Sequence, residues 1–311
     1  MEWSLLKPVI VLGLLQAGLY GLLPISIVLS YRISRTIAFV HGGIAIFGGL
    51  VYKVMTQGSG TLLDLNDQPI APRYAILLVC LFGGILGAFY GAAVMSRWIA
   101  GLPGITLTVI SLGCMLLTIA IAARTMHPGG LSLAPSPFGE HHITISGVAI
   151  TSHRAATFGI VVALVIVLAL ILNRTYTGLA IRAIADDLEA SIWCGAKLRY
   201  IGTGVYAVSA AVSALAGALY VGTVATGLES VLQLFMRGLI LAVVGGLRSV
   251  PLALLGSLVF GILETALLVG FFGEMSGGYQ EFILSSVLLC LILIVARTRK
   301  ESFFLLGRPS L

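Results

Sequence analysis

With 311 residues, 59% of them hydrophobic and only 10% charged, this chain is too apolar for a water-soluble domain, in which about a quarter of residues carry charge. A mean hydropathy of +1.08 makes the lipid bilayer its expected solvent. The formal charge of +6 then reads as Lys and Arg gathered in cytoplasmic loops, which excludes a nucleic-acid-binding role and leaves membrane lipid as the surroundings.

Apolar runs predict helices over 8–30, 36–56, 74–95, 103–124, 155–172, 202–224, 252–272 and 280–296. The first is too long for the apolar part of a cleaved signal peptide and lacks a small-residue cleavage site, so it is expected to remain as a membrane helix. Within the second, FVHGGIAIFGGLVY (39–52) carries His41, Gly42 and Gly43 in an apolar segment that the glycines are expected to interrupt. Interrupted helices often line a solute path, and close helix packing through glycine is the competing reading. The loop 57–73 holds Asp64 and Asp67. The loop 125–154 is rich in Pro, Gly and His, and its adjacent His141 and His142 are poorly spaced for a metal site.

The stretch 182–199 is different. Arg182, Asp186, Asp187, Glu189, Lys197 and Arg199 concentrate charge that the rest of the chain avoids. A helix from about Leu179 to Cys194 would align Ile181, Ile184, Leu188 and Ile192 in one apolar stripe. Gly195 is the expected helix end, with Lys197 and Arg199 beyond it at the negative end of the helix dipole. A solvated connector at the membrane interface would show the same composition.

The segment 234–247, with Arg237, Gly245 and Gly246, is short enough to be either a tilted crossing or a re-entrant element. The second glycine-interrupted run, ILAVVGGLRSVPLALLGSLVFG (240–261), begins inside it. Glu264 falls near the middle of the 252–272 span, where a charge must face the bundle interior, pair or be neutralised. Arg32, Arg35, Arg97, the 173–201 loop, Arg248, Arg297, Arg299, Lys300 and Arg308 all reach one side if the short segment crosses. Arg73, Arg124 and Arg154 run against that count. The expected fold is an all-α polytopic membrane protein of about nine crossings (eight to ten), N-terminus outside and C-terminus cytoplasmic. It forms a single transmembrane domain over 1–311 with a cytoplasmic loop at about 173–201. The four cysteines show no metal or disulfide spacing.

The run GLAIRAIADDLEASIWCGAKLRYIGTGVYAVSAAVSALAGALYVG (178–222) resembles the cytoplasmic loop and following helix of ABC importer permeases of the branched-chain amino acid family. Glu189, Ala190, Ser191 and Gly195 are similar to the Glu-Ala-Ala-x-x-x-Gly signature by which such permeases dock on their ATPases, with Ser191 in place of the second Ala. SYRISRTIAFVHGG, AVVGGLRSVPLALLGSLVFGILE and LLGRPS extend the resemblance along the chain. It implies ATPase coupling through Arg182, Asp186, Asp187, Glu189 and Gly195. Read from the residues themselves, His41, Gly42, Gly43, Gly245, Gly246 and Glu264 are the candidates for a translocation path. The implied partners are a second permease subunit, ATP-binding subunits and an extracytoplasmic solute-binding protein, in a bacterial-type inner membrane. Relatives carry branched-chain amino acids, urea or short amides. The sequence departs from the family pattern at Ala38, Phe39 and Val40 before His41 and Gly42, and at Arg248 and Leu252, which bears on the solute.

No G-x-x-x-x-G-K-[ST] loop precedes Lys7, Lys53, Lys197 or Lys300, so ATP is expected on a partner chain and no cofactor in this one. H-E-x-x-H and G-x-S-x-G are absent too, so the expectation is a transport subunit and not an enzyme. An ATP-independent channel or secondary transporter for a small neutral solute is the alternative, and it leaves the charged loop as a plain connector.

Overall fold

The computed structural model describes residues 3–57, 70–96, 102–125, 134–139, 142–145, 148–223, 228–247, 249–270 and 277–298. The helices are α1 (Trp3–Ser34), α2 (Val40–Gln57), α3 (Pro72–Val94), α4 (Gly104–Thr125), α5 (Ser152–Arg174), α6 (Tyr176–Asp186), α7 (Leu188–Trp193), α8 (Leu198–Val221), α9 (Leu228–Val244), α10 (Val250–Gly270) and α11 (Gly277–Thr298). One antiparallel hairpin, β1 (His142–Ile145) and β2 (Val148–Thr151), is the only sheet among the described residues. Six helices are long and apolar enough to cross a bilayer: α1, α3, α4, α5, α8 and α10. The chain is therefore a helical, multi-pass membrane protein. Arg97, Arg248, Arg299, Lys300, Arg308, Asp64, Asp67, His141 and the segment LLGRPS lie outside the described residues.

Two helices make the centre. α8 packs on α1, α2 and α3, while α1 also packs on α5, α9 and α10. Lipid supplies no hydrophobic drive between helices, so these contacts rest on close van der Waals approach through small residues. A Cβ on Gly48 would fall 2.6 Å from the Ala214 carbonyl oxygen, and one on Gly217 would strike the Ala45 carbonyl outright. On α3 the same logic runs at four-residue spacing: Gly83, Gly87 and Gly91 face Ala214, Ala210 and Tyr206. Leu77, Leu81, Ile85 and Phe89 stand exposed on the outward face, suited to acyl chains.

Three sequence expectations change here. The glycines of 39–52 do not interrupt a helix, because α2 is continuous and its glycines serve close packing. The break falls earlier, at residues 35–39, between α1 and α2. The short segment 234–247 belongs to a longer helix, α9. The helix expected over Leu179–Cys194 is two helices, because Asp187 adopts an extended conformation (φ −142°, ψ 111°) between α6 and α7. That break turns the predicted stripe: Ile181 and Ile184 are buried, but Leu188 and Ile192 are exposed.

Candidate functional site

At the first of three regions, the chain leaves α1 through Arg35, whose φ of +55° is in the left-handed region, and rises without helix to Phe39. The Phe39 N–H is satisfied by Ser111 Oγ of α4 at 3.1 Å. His41 follows, fully buried, with its ring stacked on Tyr206 at 6.1 Å between centroids and 15° between planes. Neither imidazole nitrogen has a hydrogen-bond partner among the described residues. Leaving a buried polar group unmade costs on the order of 1–3 kcal/mol. Gly42 lets the Phe235 ring of α9 lie against the α2 backbone, since a Cβ there would fall 2.7 Å from Phe235 Cγ. Phe39 packs beside Phe235 at 6.1 Å, and Tyr90 beside Tyr206 at 5.5 Å. Gly43 fits against Met115 and Thr118 of α4.

The second region is a buried polar cluster between α1, α9 and α10. Arg237 Nη1 donates to Glu264 Oε1 at 2.9 Å and to Tyr20 Oη at 2.7 Å; Tyr20 donates to the same carboxylate oxygen at 3.0 Å, and Gln16 donates to Tyr20 at 3.2 Å. Glu264 is thus neutralised by an arginine that the sequence placed in a different apolar segment. Two lone opposite charges in apolar runs were a signal that they pair. Beyond this cluster α9 ends in a turn, where Gly246 (φ +78°) and Leu247 (φ +58°) reverse the chain and a Cβ on Gly245 would fall 2.6 Å from the Ala253 backbone.

The third region is the α6–α7 hairpin. Thr175 caps α6 by accepting from the Gly178 N–H at 3.1 Å, and the Asp187 carboxylate caps α7 by accepting from the Ala190 N–H at 3.1 Å. Glu189 sits in the first turn of α7, where a negative charge suits the dipole. Gly195 (φ +90°) ends α7: its N–H reaches the Ile192 carbonyl at 2.9 Å, and the Ala196 N–H reaches the Ser191 carbonyl at 3.0 Å. A left-handed residue with this pair of bonds is a common way to close a helix. Ser191 is buried, so only a small side chain fits where the family has its second Ala.

Arg182, Asp186, Asp187 and Glu189 are exposed. Sequence reasoning missed the tether of this hairpin. The Arg35 guanidinium donates to the Ala185 carbonyl and lies 3.4 Å from that of Asp186, satisfying the C-terminus of α6. Tyr31, Arg32, Arg35, Arg182, Ala185 and Asp186 line a cavity of about 220 Å³ at this junction. No sequence pattern announces a contact made across 150 residues.

The architecture is that of a multi-pass helical bundle with an interhelical ion pair and an exposed, capped hairpin between α5 and α8. The family model for the permease component of branched-chain amino acid transport systems matches residues 9–296, and the chain belongs to that family. It is 25% identical to the high-affinity branched-chain amino acid transport system permease protein BraD of Pseudomonas aeruginosa, over 96% of this chain and 94% of that one. The corresponding permease proteins LivH of Salmonella typhimurium and of Escherichia coli K12 are also 25% identical, with the same coverage. No solved structure matches the chain. Family membership makes it a permease of an ABC importer, a multi-pass protein of the bacterial-type inner membrane and a transport component in place of an enzyme.

Proposed function

We propose that this chain is one of two permease subunits of an importer driven by ATP on partner chains, and that its α6–α7 hairpin is the contact through which the ATP-binding subunits act. The observation that carries this reading is the hairpin's construction. Asp187 and Gly195 fix both ends of α7, Glu189 and the neighbouring acids stand in water, and Arg35 fastens the end of α6 to α1. Caps close any short helix, so the feature that goes beyond a plain connector is the Arg35 bond that ties α6 to the end of α1. The solute class is branched-chain amino acids or related small amides and urea, delivered by an extracytoplasmic binding protein.

In this proposal the N-terminus is outside, the 173–201 loop and the C-terminus are cytoplasmic, and α2, α9 and α11 complete nine crossings. Movement of the hairpin passes through Arg35 to the 35–39 link, and so to Phe39, His41, Gly42 and Gly43. Opening Phe235 away from Gly42 exposes the His41 imidazole to the solute's polar groups. Glu264 holds α9 and α10 beside that path, and Gly245 and Gly246 supply the turn between them. A ligand shifts such an equilibrium only through contacts that differ between states, and the hairpin is where ATP on the partner gains them.

Glu189→Lys and Gly195→Val test the coupling role. Both are expected to lower co-purification of the ATP-binding subunits and ATP-dependent uptake together, with membrane insertion unchanged. Wild-type co-purification and uptake would reject it and favour an ATP-independent channel or secondary transporter. A cysteine at Glu189 that labels only from outside would reverse the orientation.

A further inference from the structure

On the 174–199 segment the acids Asp186, Asp187 and Glu189 lie near the tip together with Arg182, while Arg174, Lys197 and Arg199, all exposed, stand at the two roots where α5 ends and α8 begins. Between these roots lies a groove of about 360 Å³ whose walls come from α1, α5, α6 and α8, including Leu29, Leu168, Ile171, Ile181, Val205 and Val208. The only polar side chains lining it are Thr177 and Tyr200, both at the hairpin end. Ile171, Val208 and Tyr200 are exposed, so the groove opens outward from the bundle. From Tyr200 to Val208 it follows about 12 Å of helix, against roughly 15 Å for one hydrocarbon leaflet. Tyr176 and Tyr200, at the roots of the hairpin, are 93% and 76% exposed, which suits amphipathic rings at headgroup depth.

We propose that this groove is a binding site for an anionic phospholipid of the cytoplasmic leaflet, with one acyl chain between α5 and α8 and the phosphate met by Arg174, Lys197 and Arg199. The slot is apolar, its hydroxyls are at one end only, and Arg174, Lys197 and Arg199 do not line it but belong to the helix ends that lead into that end. An acyl chain with an anionic head is complementary to this arrangement, and a zwitterionic lipid would leave the cations without a net negative partner. A second permease helix would leave three cations against an apolar interface, which is why the lipid is the occupant. The site would make the hairpin's seat on the bundle sensitive to membrane charge. Naming the leaflet rests on the orientation proposed above; the lipid chemistry does not.

Lipids retained by the assembled transporter, purified in detergent from membranes holding phosphatidylglycerol and phosphatidylethanolamine, test this by mass spectrometry. Wild type is expected to keep about one phosphatidylglycerol per permease chain. A Cβ on Gly204, which lines the groove, meets nothing within 4 Å, so Gly204→Phe puts its ring into the groove without disturbing the core and is expected to displace the lipid. Arg174→Gln, Lys197→Gln and Arg199→Gln are each expected to weaken the preference for the anionic lipid by about fivefold. Equal retention of both lipids by wild type, retention of free fatty acid alone, or undiminished phosphatidylglycerol in Gly204→Phe would overturn the proposal. So would cross-linking of a cysteine at position 204 to a second permease subunit. Failed labelling of Glu189 from inside, with the lipid result intact, would move the site to the other leaflet and sink only the orientation.

Discussion

Arg237 and Glu264 meet at 2.9 Å inside the bundle with a tyrosine between them, whereas Arg182, Asp186, Asp187 and Glu189 stand in the open on a hairpin of two short helices. The same residue types do opposite work in the two places. Away from water, a charge is affordable only with its counter-charge and its hydrogen bonds in place, so each member of the cluster holds the others and three helices are fastened. In water, charge costs little and binds little by itself, so the hairpin's order comes from backbone caps and its charges stay available to a partner.

That contrast can be broken most severely at Glu264. Glu264→Leu strands Arg237 in the bundle and should cost about 3–5 kcal/mol, seen as a large drop in the thermal stability of the detergent-solubilised protein. The double change Arg237→Met with Glu264→Leu should recover most of the loss, since no lone charge remains. If the single change is tolerated as well as the double, the cluster is not a lock. Gly195→Val comes next, because a β-branched residue at φ +90° strains the end of α7 by roughly 1–2 kcal/mol. That strain should appear as faster amide exchange confined to 188–196, with global unfolding unchanged. Tyr20→Phe removes one hydroxyl and leaves the ion pair, so about 1 kcal/mol of stability should go. The smallest effect is expected at Glu189→Gln, under about 0.5 kcal/mol in stability, with any loss appearing in ATP-dependent uptake. A stability loss at Glu189 equal to that at Tyr20 would erase the distinction between the two regions.

Close packing offers a parallel lesson about glycine. Gly42, Gly43, Gly48 and Gly49 look like breaks when α2 is read alone, yet each faces a neighbour that a methyl group would displace. Gly245 and Gly246 look the same in sequence and do end a helix, at a turn with positive φ. Local propensity treats the two groups alike. What separates them is backbone conformation, helical throughout α2 but left-handed at Gly246, and the tertiary contacts that choose between the two are not written locally.

The sequence by itself determined that the chain lives in a membrane, that it is helical, where most spans lie and that the charged side chains of 182–199 stand exposed, because hydropathy and charge act through solvent. It also marked Gly195 as a helix end, since that follows from backbone sterics at one position. Only the tertiary structure decided that Glu264 pairs with Arg237, that Phe235 lies over Gly42 beside a buried His41, and that Arg35 grips the end of α6. It likewise split the expected coupling helix at Asp187, where the carboxylate's bond to the Ala190 N–H and the seating of Ile181 and Ile184 against the bundle outweigh helical continuity. These contacts join residues far apart in the chain, and their energies depend on which helices meet, a property that no single segment carries.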